Sequence, residues 1–180
     1  MIVATLLAAL LGQAVPEWPA KPAESWVQGG PVTLAGLRGK VVLIRFFMDA
    51  DCPYCRATAP SLNEFHDAFA ARGLAVIGMY TPKPRPRAVT LGEVRGYVKT
   101  YGFTFPVAID ADWSALRRLW LDRVPEATFT SSSLLIDRRG ILRHVQEGGV
   151  YAKDAADPEA RRDYDAMRAA IVELLAEPAP

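Results

Sequence analysis

Two cysteines, Cys52 and Cys55, are the side chains in this sequence whose type and spacing most directly indicate chemistry. They are the only cysteines in the chain and lie in the run Asp51-Cys52-Pro53-Tyr54-Cys55. Two thiols three positions apart lie one turn apart on the same face of a helix, so one can attack a mixed disulfide formed at the other. The spacing predicts a redox centre that alternates between a dithiol and a disulfide.

The elements that flank the pair determine how reactive it is. Residues 41–47 are almost continuously apolar, which predicts a strand covered on both faces. Residues 53–72 have helical periodicity, and Pro53 suits the first turn of a helix, where a missing N–H is tolerated. The unpaired N–H groups and the dipole at a helix N-terminus lower the pKa of a thiol there. We therefore predict that Cys52 is the exposed thiolate nucleophile and Cys55 the buried resolving thiol.

Three alternative roles for the cysteine pair compete with redox chemistry. A zinc site would need histidines three to five residues apart, whereas His66 and His144 are far separated. A purely structural disulfide across one helical turn would close too small a loop to stabilise much. The third alternative is that two cysteines occur three positions apart by chance, which is improbable at a junction between a strand and a helix. Redox chemistry is favoured, and we predict neither a metal site nor a cofactor.

The remainder of the chain alternates between predicted strands and helices. The further strands are 74–80, 106–109, 133–137 and 141–146, and the further helices are 91–101, 112–121 and 158–175. A strand, a helix and a second strand form a right-handed unit with parallel strands, and the last two strands are close enough to form a hairpin. The expected fold is α/β, with a mixed central sheet flanked by helices.

Composition indicates one globular domain. Apolar residues make up 51% of the chain and charged residues 23%, which argues against global disorder. With 21 basic and 20 acidic residues, the net charge of +1 lacks the basic excess that nucleic-acid binding requires. We expect no nucleic-acid partner.

The N-terminal residues predict export. Residues 1–14 carry no charged side chain and resemble a signal peptide cut after Ala14, although an N-terminal strand or buried helix is an alternative. The apolar run is too short to span a bilayer, so we expect no stable membrane insertion and a location outside the cytoplasm. Residues 15–30 are rich in proline and glycine and predict an extended lead-in rather than a core element. The domain itself is then predicted over residues 31–177.

At these motifs the chain resembles the TlpA/ResA-like thioredoxin family of exported disulfide reductases, within the redoxin and AhpC/TSA-like superfamily. The matching segments are 37–43, the Cys52-Pro53-Tyr54-Cys55 motif with Pro60, 104–110 and 134–140. The resemblance implies a thioredoxin-like fold and protein disulfides outside the cytoplasm as the substrate class. It also implies a membrane thiol reductase as the electron donor.

Two departures from the family pattern lie next to the cysteines. The family usually has tryptophan before the first cysteine, where this chain has Asp51, and many members have glutamate where this chain has Thr58. No acid–base role can be assigned to Thr58. The carboxylates of Asp49 and Asp51 would oppose thiolate formation, so we expect the pKa of Cys52 to fall less than the helix end alone suggests.

A third departure concerns the loop at Thr130 and Ser131, which the resemblance places opposite the cysteines as a substrate-holding loop. The family has a cis-proline where this chain has Ser131. A cis bond before a residue other than proline costs about 2.5–4 kcal/mol. We therefore expect a trans Thr130–Ser131 bond and weak binding of peptide substrates.

Two rival functions use the same scaffold. A peroxiredoxin-like thiol peroxidase usually has threonine or serine three residues before its cysteine and proline seven before, where this chain has Asp49 and Arg45. A Cu(I)-binding assembly protein would use both thiolates and a third ligand, for which His144 is the candidate. We expect a disulfide reductase in preference to either.

The basic proline-rich segment 82–87 follows a strand parallel to the one before Cys52. It should therefore leave the sheet at the same edge as the cysteines. A stiff solvated loop is the favoured interpretation, and recognition of an acidic partner is the alternative.

Overall fold

Seven consecutive buried residues form the strand at the centre of the structure, a computed structural model that describes residues 9–178. The strands are β1 (Trp26–Gln28), β2 (Val41–Phe47), β3 (Leu74–Tyr80), β4 (Val107–Ile109), β5 (Ser133–Ile136) and β6 (Leu142–Gln146). The helices are α1 (Pro53–Phe69), α2 (Leu91–Tyr101), α3 (Ser114–Leu116) and α4 (Pro158–Ala176). The bounds of β2, β3 and α2 are those expected from their apolar patterns.

The six strands of the described residues form one mixed sheet in the order β1-β4-β3-β2-β5-β6. Strands β2, β3 and β4 are parallel, whereas β1, β5 and β6 each run antiparallel to their neighbour. The carboxyl ends of the parallel strands therefore meet at one edge of the sheet. This arrangement confirms the α/β prediction of a mixed sheet flanked by helices.

Alternate residues of β2 face two separate apolar cores. Leu43 and Phe47 pack in the core that α1, α2 and α4 cover. Ile44 and Phe46 pack in the core on the opposite face, which includes α3. Because both faces are covered, a charged side chain on β2 must be buried, and this applies to Arg45.

Helix α1 begins where the sequence predicts and buries one face against the sheet. Cys52 is its N-cap residue and Pro53 its first residue. Apolar side chains at helical spacing, among them Leu62, Phe65 and Phe69, are buried in the core. The helix passes into a short 3₁₀ turn, and the chain then turns at a glycine with a φ of 102°, a conformation that glycine adopts readily. Strand β3 follows directly.

The segment 15–30 contains a 3₁₀ turn at Ala23–Ser25 and the strand β1, and, contrary to the prediction, it contributes to the core. Trp26 lies in β1 and pairs with Ala108 of β4, and both Trp18 and Trp26 are buried. Proline and glycine content indicated the extended conformation. It could not indicate burial, which depends on the free edge of β4 that lies far along the chain.

The segment 112–121 is less regular than the single helix predicted for it. It forms α3 and then a π-helical turn over Arg117–Leu121. Leu119 and Trp120 are fully buried, so packing of these large side chains accompanies the wider turn. Within residues 9–178, no helix combines the length and apolar composition needed to cross a bilayer.

The predicted signal peptide lies mostly outside the described residues, which begin at Ala9. From Leu10 onward the chain runs beside β6. The Gly12 N–H donates to the carbonyl of Leu142 at 2.8 Å, the Leu142 N–H donates to the carbonyl of Gln13 at 2.9 Å, and Leu10 is buried. Residues 10–14 thus contact the folded domain.

Candidate active site

Cys52 and Cys55 lie at the edge of the sheet where the parallel strands end. Strand β2 ends at Phe47, and a short turn brings Cys52 to the N-terminus of α1. The Cys52 N–H donates to the carbonyl of Asp49 at 3.0 Å, and the Cys55 N–H donates to Cys52 Sγ at 3.3 Å. Both thiols are free; Cys52 is partly exposed and Cys55 is buried. The structure thus places the pair in the arrangement that the exchange chemistry needs.

The surroundings of Cys52 favour its thiolate. The hydrogen bond from the Cys55 side chain is the main cause that lowers the pKa of Cys52 to about 6, assisted by the N–H groups of Cys55 and Tyr54 and by the charge of Arg45. Partial burial acts in the opposite direction. A pKa of about 6 lies inside the range of reactive cysteines at helix N-termini, so a large share of Cys52 is ionised at neutral pH.

Cys55 has the opposite shift. Its hydrogen bond to Cys52 and its burial both raise the pKa of the Cys55 thiol, and the charge of Arg45 partly opposes them. Cys55 therefore keeps its proton while Cys52 is a thiolate. The two thiols share one proton, which is held by the buried sulfur.

Hydrogen bonds from two tyrosines, Tyr80 and Tyr101, fix the turn before Cys52, and Asp49 accepts from both. The Tyr101 hydroxyl donates to the carbonyl of Asp49 at 2.6 Å and lies 3.2 Å from the carbonyl of Met48. The Tyr80 hydroxyl donates to the Asp49 carboxylate. Burial raises the pKa of both tyrosines, so both remain donors at neutral pH. The Asp49 carboxylate, which the sequence placed against the Cys52 thiolate, is thus engaged by Tyr80.

An open groove of about 480 Å³ adjoins the Cys52 thiol. Its lining residues are Met48, Asp49, Asp51, Cys52, Pro53, Tyr54, Lys83 and Pro84. The Tyr54 side chain is 55% exposed, and the Lys83 ammonium lies 5.3 Å from the centre of the Trp113 ring. Burial lowers the pKa of Lys83, and the neighbouring thiols oppose that shift. The segment 82–87 therefore does contribute to this edge of the sheet, as its place in the sequence predicts.

The predicted substrate loop lies beside β2, but Thr130 and Ser131 are not among the residues that line the groove. Both are buried, and the carbonyl of the next residue, Ser132, accepts a hydrogen bond from the Phe46 N–H at 3.0 Å. Cis bonds among the described residues precede only Pro31 and Pro84, so the Thr130–Ser131 bond is trans, as predicted. A direct role of this loop in binding stays a prediction.

The other polar residues singled out in the sequence lie apart from the groove. His66 packs edge-on against Phe105, with ring centres 5.7 Å apart. His144 is on β6 opposite Leu135, and burial lowers its pKa. Thr58 is fully buried, and its hydroxyl has no hydrogen-bond partner. No group of three or more potential metal ligands occurs in the part of the chain that the structure describes.

Arg45 is the residue near the thiols whose role the sequence did not reveal. It is 1% exposed, and its charge acts on the pKa of both cysteines. The sequence did contain an indication of this role, since Arg45 is the single charged residue within an otherwise apolar predicted strand. Arginine is rarely fully buried without a partner, so an arginine in such a strand indicates a specific role.

Known proteins resemble this chain over most of its length. The AhpC/TSA family matches residues 11–145. Protein DipZ of Mycobacterium bovis is 34% identical over 122 residues, which cover 66% of this chain and 16% of DipZ. The chain therefore spans only a small part of the length of that relative. Thiol-disulfide oxidoreductase YkuV of Bacillus subtilis is 27% identical over 139 residues, which cover 77% of this chain and 86% of YkuV.

Among solved structures, a thiol-disulfide isomerase from Corynebacterium glutamicum superposes with a TM-score of 0.67 and 25% identity. The match covers 91% of this chain and 97% of that one. With the cysteines at the start of a helix, this fold defines the class of thioredoxin-like proteins, and relatives such as YkuV are named thiol-disulfide oxidoreductases. The chain belongs to the AhpC/TSA family. Its resemblance to the TlpA/ResA-like thioredoxin group is confirmed.

Proposed function

We propose that this protein exchanges disulfides with protein substrates outside the cytoplasm, through Cys52 and Cys55. The observation that carries the proposal is the asymmetry of the pair. Cys52 is partly exposed at a groove with its pKa lowered to about 6, while Cys55 is buried one turn away and protonated. An accessible thiolate beside a protected thiol is the combination that two-step exchange requires.

In the reducing direction, the Cys52 thiolate attacks one sulfur of a substrate disulfide. The substrate S–S bond breaks, a mixed disulfide forms, and one substrate thiolate leaves. Cys55 then loses its proton and attacks the Cys52 sulfur, which forms the Cys52–Cys55 disulfide and releases the second substrate thiolate. Two electrons pass to the substrate. The proton of Cys55 goes to solvent or to a leaving thiolate, so charge and atoms balance.

Substrate binding would use the exposed apolar surface around the thiol. Tyr54 lines the groove and is 55% exposed. Exposed aromatic side chains are suited to a peptide partner. The groove has two carboxylates, Asp49 and Asp51, against one ammonium, Lys83, so negative charge is in excess there. The loop at Thr130 and Ser131 would contribute backbone groups.

The location and the electron donor follow from the family resemblance and the uncharged N-terminal segment. We infer that the protein works outside the cytoplasm, and that a membrane thiol reductase returns Cys52 and Cys55 to the dithiol state. The relatives named as thiol-disulfide oxidoreductases support the exchange activity that this location and this donor would serve.

Trapping of mixed disulfides tests the proposal. Cys55→Ser should accumulate a mixed disulfide with a disulfide-containing protein, because Cys52 can attack and nothing can resolve the product. Cys52→Ser is the matched control and should trap little, because Cys55 is buried. Non-reducing electrophoresis followed by mass spectrometry measures both. Equal trapping by the two variants, or thiol-dependent peroxide consumption with no trapping, would exclude the proposal and favour the peroxidase alternative.

A further inference from the structure

Arg45 is a buried charge beside the redox pair. It lies on β2, on the face of the sheet that α1 and α4 cover, and is 1% exposed. Its Nη1 donates to Ser133 Oγ at 3.2 Å, and its guanidinium carbon lies 5.5 Å from the centre of the Tyr151 ring. The Nε and Nη2 atoms have no hydrogen-bond partner. Because arginine remains protonated in proteins, the core contains a permanent cation.

No carboxylate balances this cation in the described part of the chain, where none of the ion pairs includes Arg45. The groups that face it are Ser133 of β5, Tyr151 from the segment before α4, and the two thiols of α1. Tyr151 stays neutral because burial raises its pKa. The thiols are therefore the groups that can supply a negative charge near Arg45.

The balance of charge differs between the two redox states. The Cys52–Cys55 disulfide is neutral and leaves the guanidinium without a counter-charge, which is unfavourable in a low-dielectric interior. The reduced pair carries one negative charge at Cys52. The attraction between this charge and the guanidinium is present only after reduction.

We propose that Arg45 is the counter-charge of the reduced cysteine pair and raises its reduction potential, which restricts electron transfer to easily reduced disulfides. The inference rests on the proposed exchange function and specifies its direction and substrate class. A pair with a raised potential accepts electrons readily from dithiols. It passes them on only to disulfides of still higher potential, which are the strained or exposed ones.

The reduction step balances with a donor dithiol. The Cys52–Cys55 bond breaks and the disulfide of the donor forms, so two electrons enter the protein. Of the two donor protons, one goes to Cys55 and the other to solvent, leaving a thiolate at Cys52. Arg45 forms and breaks no bond, and acts as a positioning residue through its charge.

The equilibrium with glutathione tests the proposal. Arg45→Met removes the charge and keeps a long apolar side chain, and replacing a buried charge in this way is often neutral for stability. We expect the equilibrium constant for reduction to fall about tenfold, equivalent to about 30 mV for a two-electron couple. The pKa of Cys52, followed by thiolate absorbance, should rise in the same variant.

Arg123→Met is the matched control. Arg123 is a partly buried arginine that, like Arg45, lies outside the ion pairs, and burial alone lowers its pKa, with no contribution from the thiols. The same change of net charge at Arg123 should leave the glutathione equilibrium within about twofold of the unaltered protein. An equal shift in both variants would show an effect of net charge and overturn the role of Arg45.

A measurement on the unaltered protein can still overturn the proposal if Arg45→Met does not fold. The reduced form should resist urea better than the oxidised form at pH 8.5, because a stabilised reduced state is the mark of a raised potential. The pKa of Cys52 is depressed to about 6, from about 8.5 in an unfolded chain. The advantage should therefore be lost as pH falls through 6.

The outcomes separate the two proposals. If the unaltered cysteines reach no reversible equilibrium with glutathione, the exchange function fails and the inference falls with it. If they do, and either Arg45→Met leaves the equilibrium unchanged or the oxidised form is the more stable one at pH 8.5, the inference alone is overturned.

Discussion

Cys52 and Cys55 are identical side chains whose pKa values shift in opposite directions, and their contacts account for the difference. The Cys55 side chain donates a hydrogen bond to Cys52, which lowers the pKa of Cys52 to about 6 and raises that of Cys55. The N–H groups at the helix start add to the effect on Cys52. The strongest single influence on the nucleophile is thus its own partner, with the helix end and Arg45 assisting.

The first prediction tests this hydrogen bond. Cys55→Ala removes the donor, and a hydrogen bond to a charged group contributes about 1.5–3 kcal/mol. We therefore expect the pKa of Cys52 to rise by about one unit or more. The pH dependence of the rate of alkylation by iodoacetamide measures it. Cys55→Ser keeps a donor and should raise the pKa less; an unchanged pKa in Cys55→Ala would assign the shift to the helix end instead.

At the scale of the elements, Asp110 joins the lead-in to the sheet. It follows β4 and is fully buried, and its carboxylate lies 2.5 Å from the Lys21 ammonium. It also accepts hydrogen bonds from the N–H groups of Ala115 and Leu116, each at 2.9 Å. One carboxylate therefore ties together the lead-in, the end of β4 and the start of α3.

The second prediction concerns the ion pair between Lys21 and Asp110. Lys21→Met leaves the buried Asp110 carboxylate without its cation, so we expect a loss of about 3 kcal/mol in the free energy of unfolding. Urea denaturation measures it. Lys99→Met, at an exposed position of α2, is the control and should change stability by less than about 0.5 kcal/mol. Equal midpoints for the two variants would show that the ion pair with Lys21 contributes little.

At the scale of the whole molecule, residues 10–14 lie against the domain although the sequence predicts cleavage after Ala14. The Gly12 N–H bonds to Leu142 of β6, and Leu10 contributes to the core that includes α3. These contacts lie at the outer edge of the sheet, beside Leu142, which aligns through Ile136 with Val42 near the start of β2, whereas Cys52 follows the opposite end of that strand. Removing them should leave the redox centre intact.

The third prediction combines processing with stability. Native protein should begin at Val15, and mass spectrometry of the intact chain would detect this; Met1 on the bulk of the protein would contradict export by cleavage. A chain produced from Val15 should fold and exchange disulfides at an unchanged rate. We expect it to be less stable by about 2 kcal/mol than the full chain, because the burial of Leu10 is lost.

Local sequence was sufficient to predict the features that depend on neighbouring residues. The apolar run predicted β2, and Pro53 after a cysteine predicted the start of α1, because strand patterning and helix capping are local effects. The placement of both thiols on one helical face followed from their spacing, and their placement at the helix start followed from the apolar run and Pro53 around them. Because residue 131 is serine and not proline, the sequence predicted a trans Thr130–Ser131 bond, since peptide bonds before residues other than proline strongly prefer the trans form.

The surroundings of the thiols, by contrast, depend on tertiary contacts. Arg45 is seven positions before Cys52. Its surroundings, however, include Ser133 on the neighbouring strand β5 and Tyr151, both of which lie far from it in the sequence. The same holds for Trp26, which pairs with β4. The burial of a side chain and the charges around it depend on all the residues that contact it in the folded protein. Local sequence does not specify these contacts, because folding brings distant residues within a few ångströms.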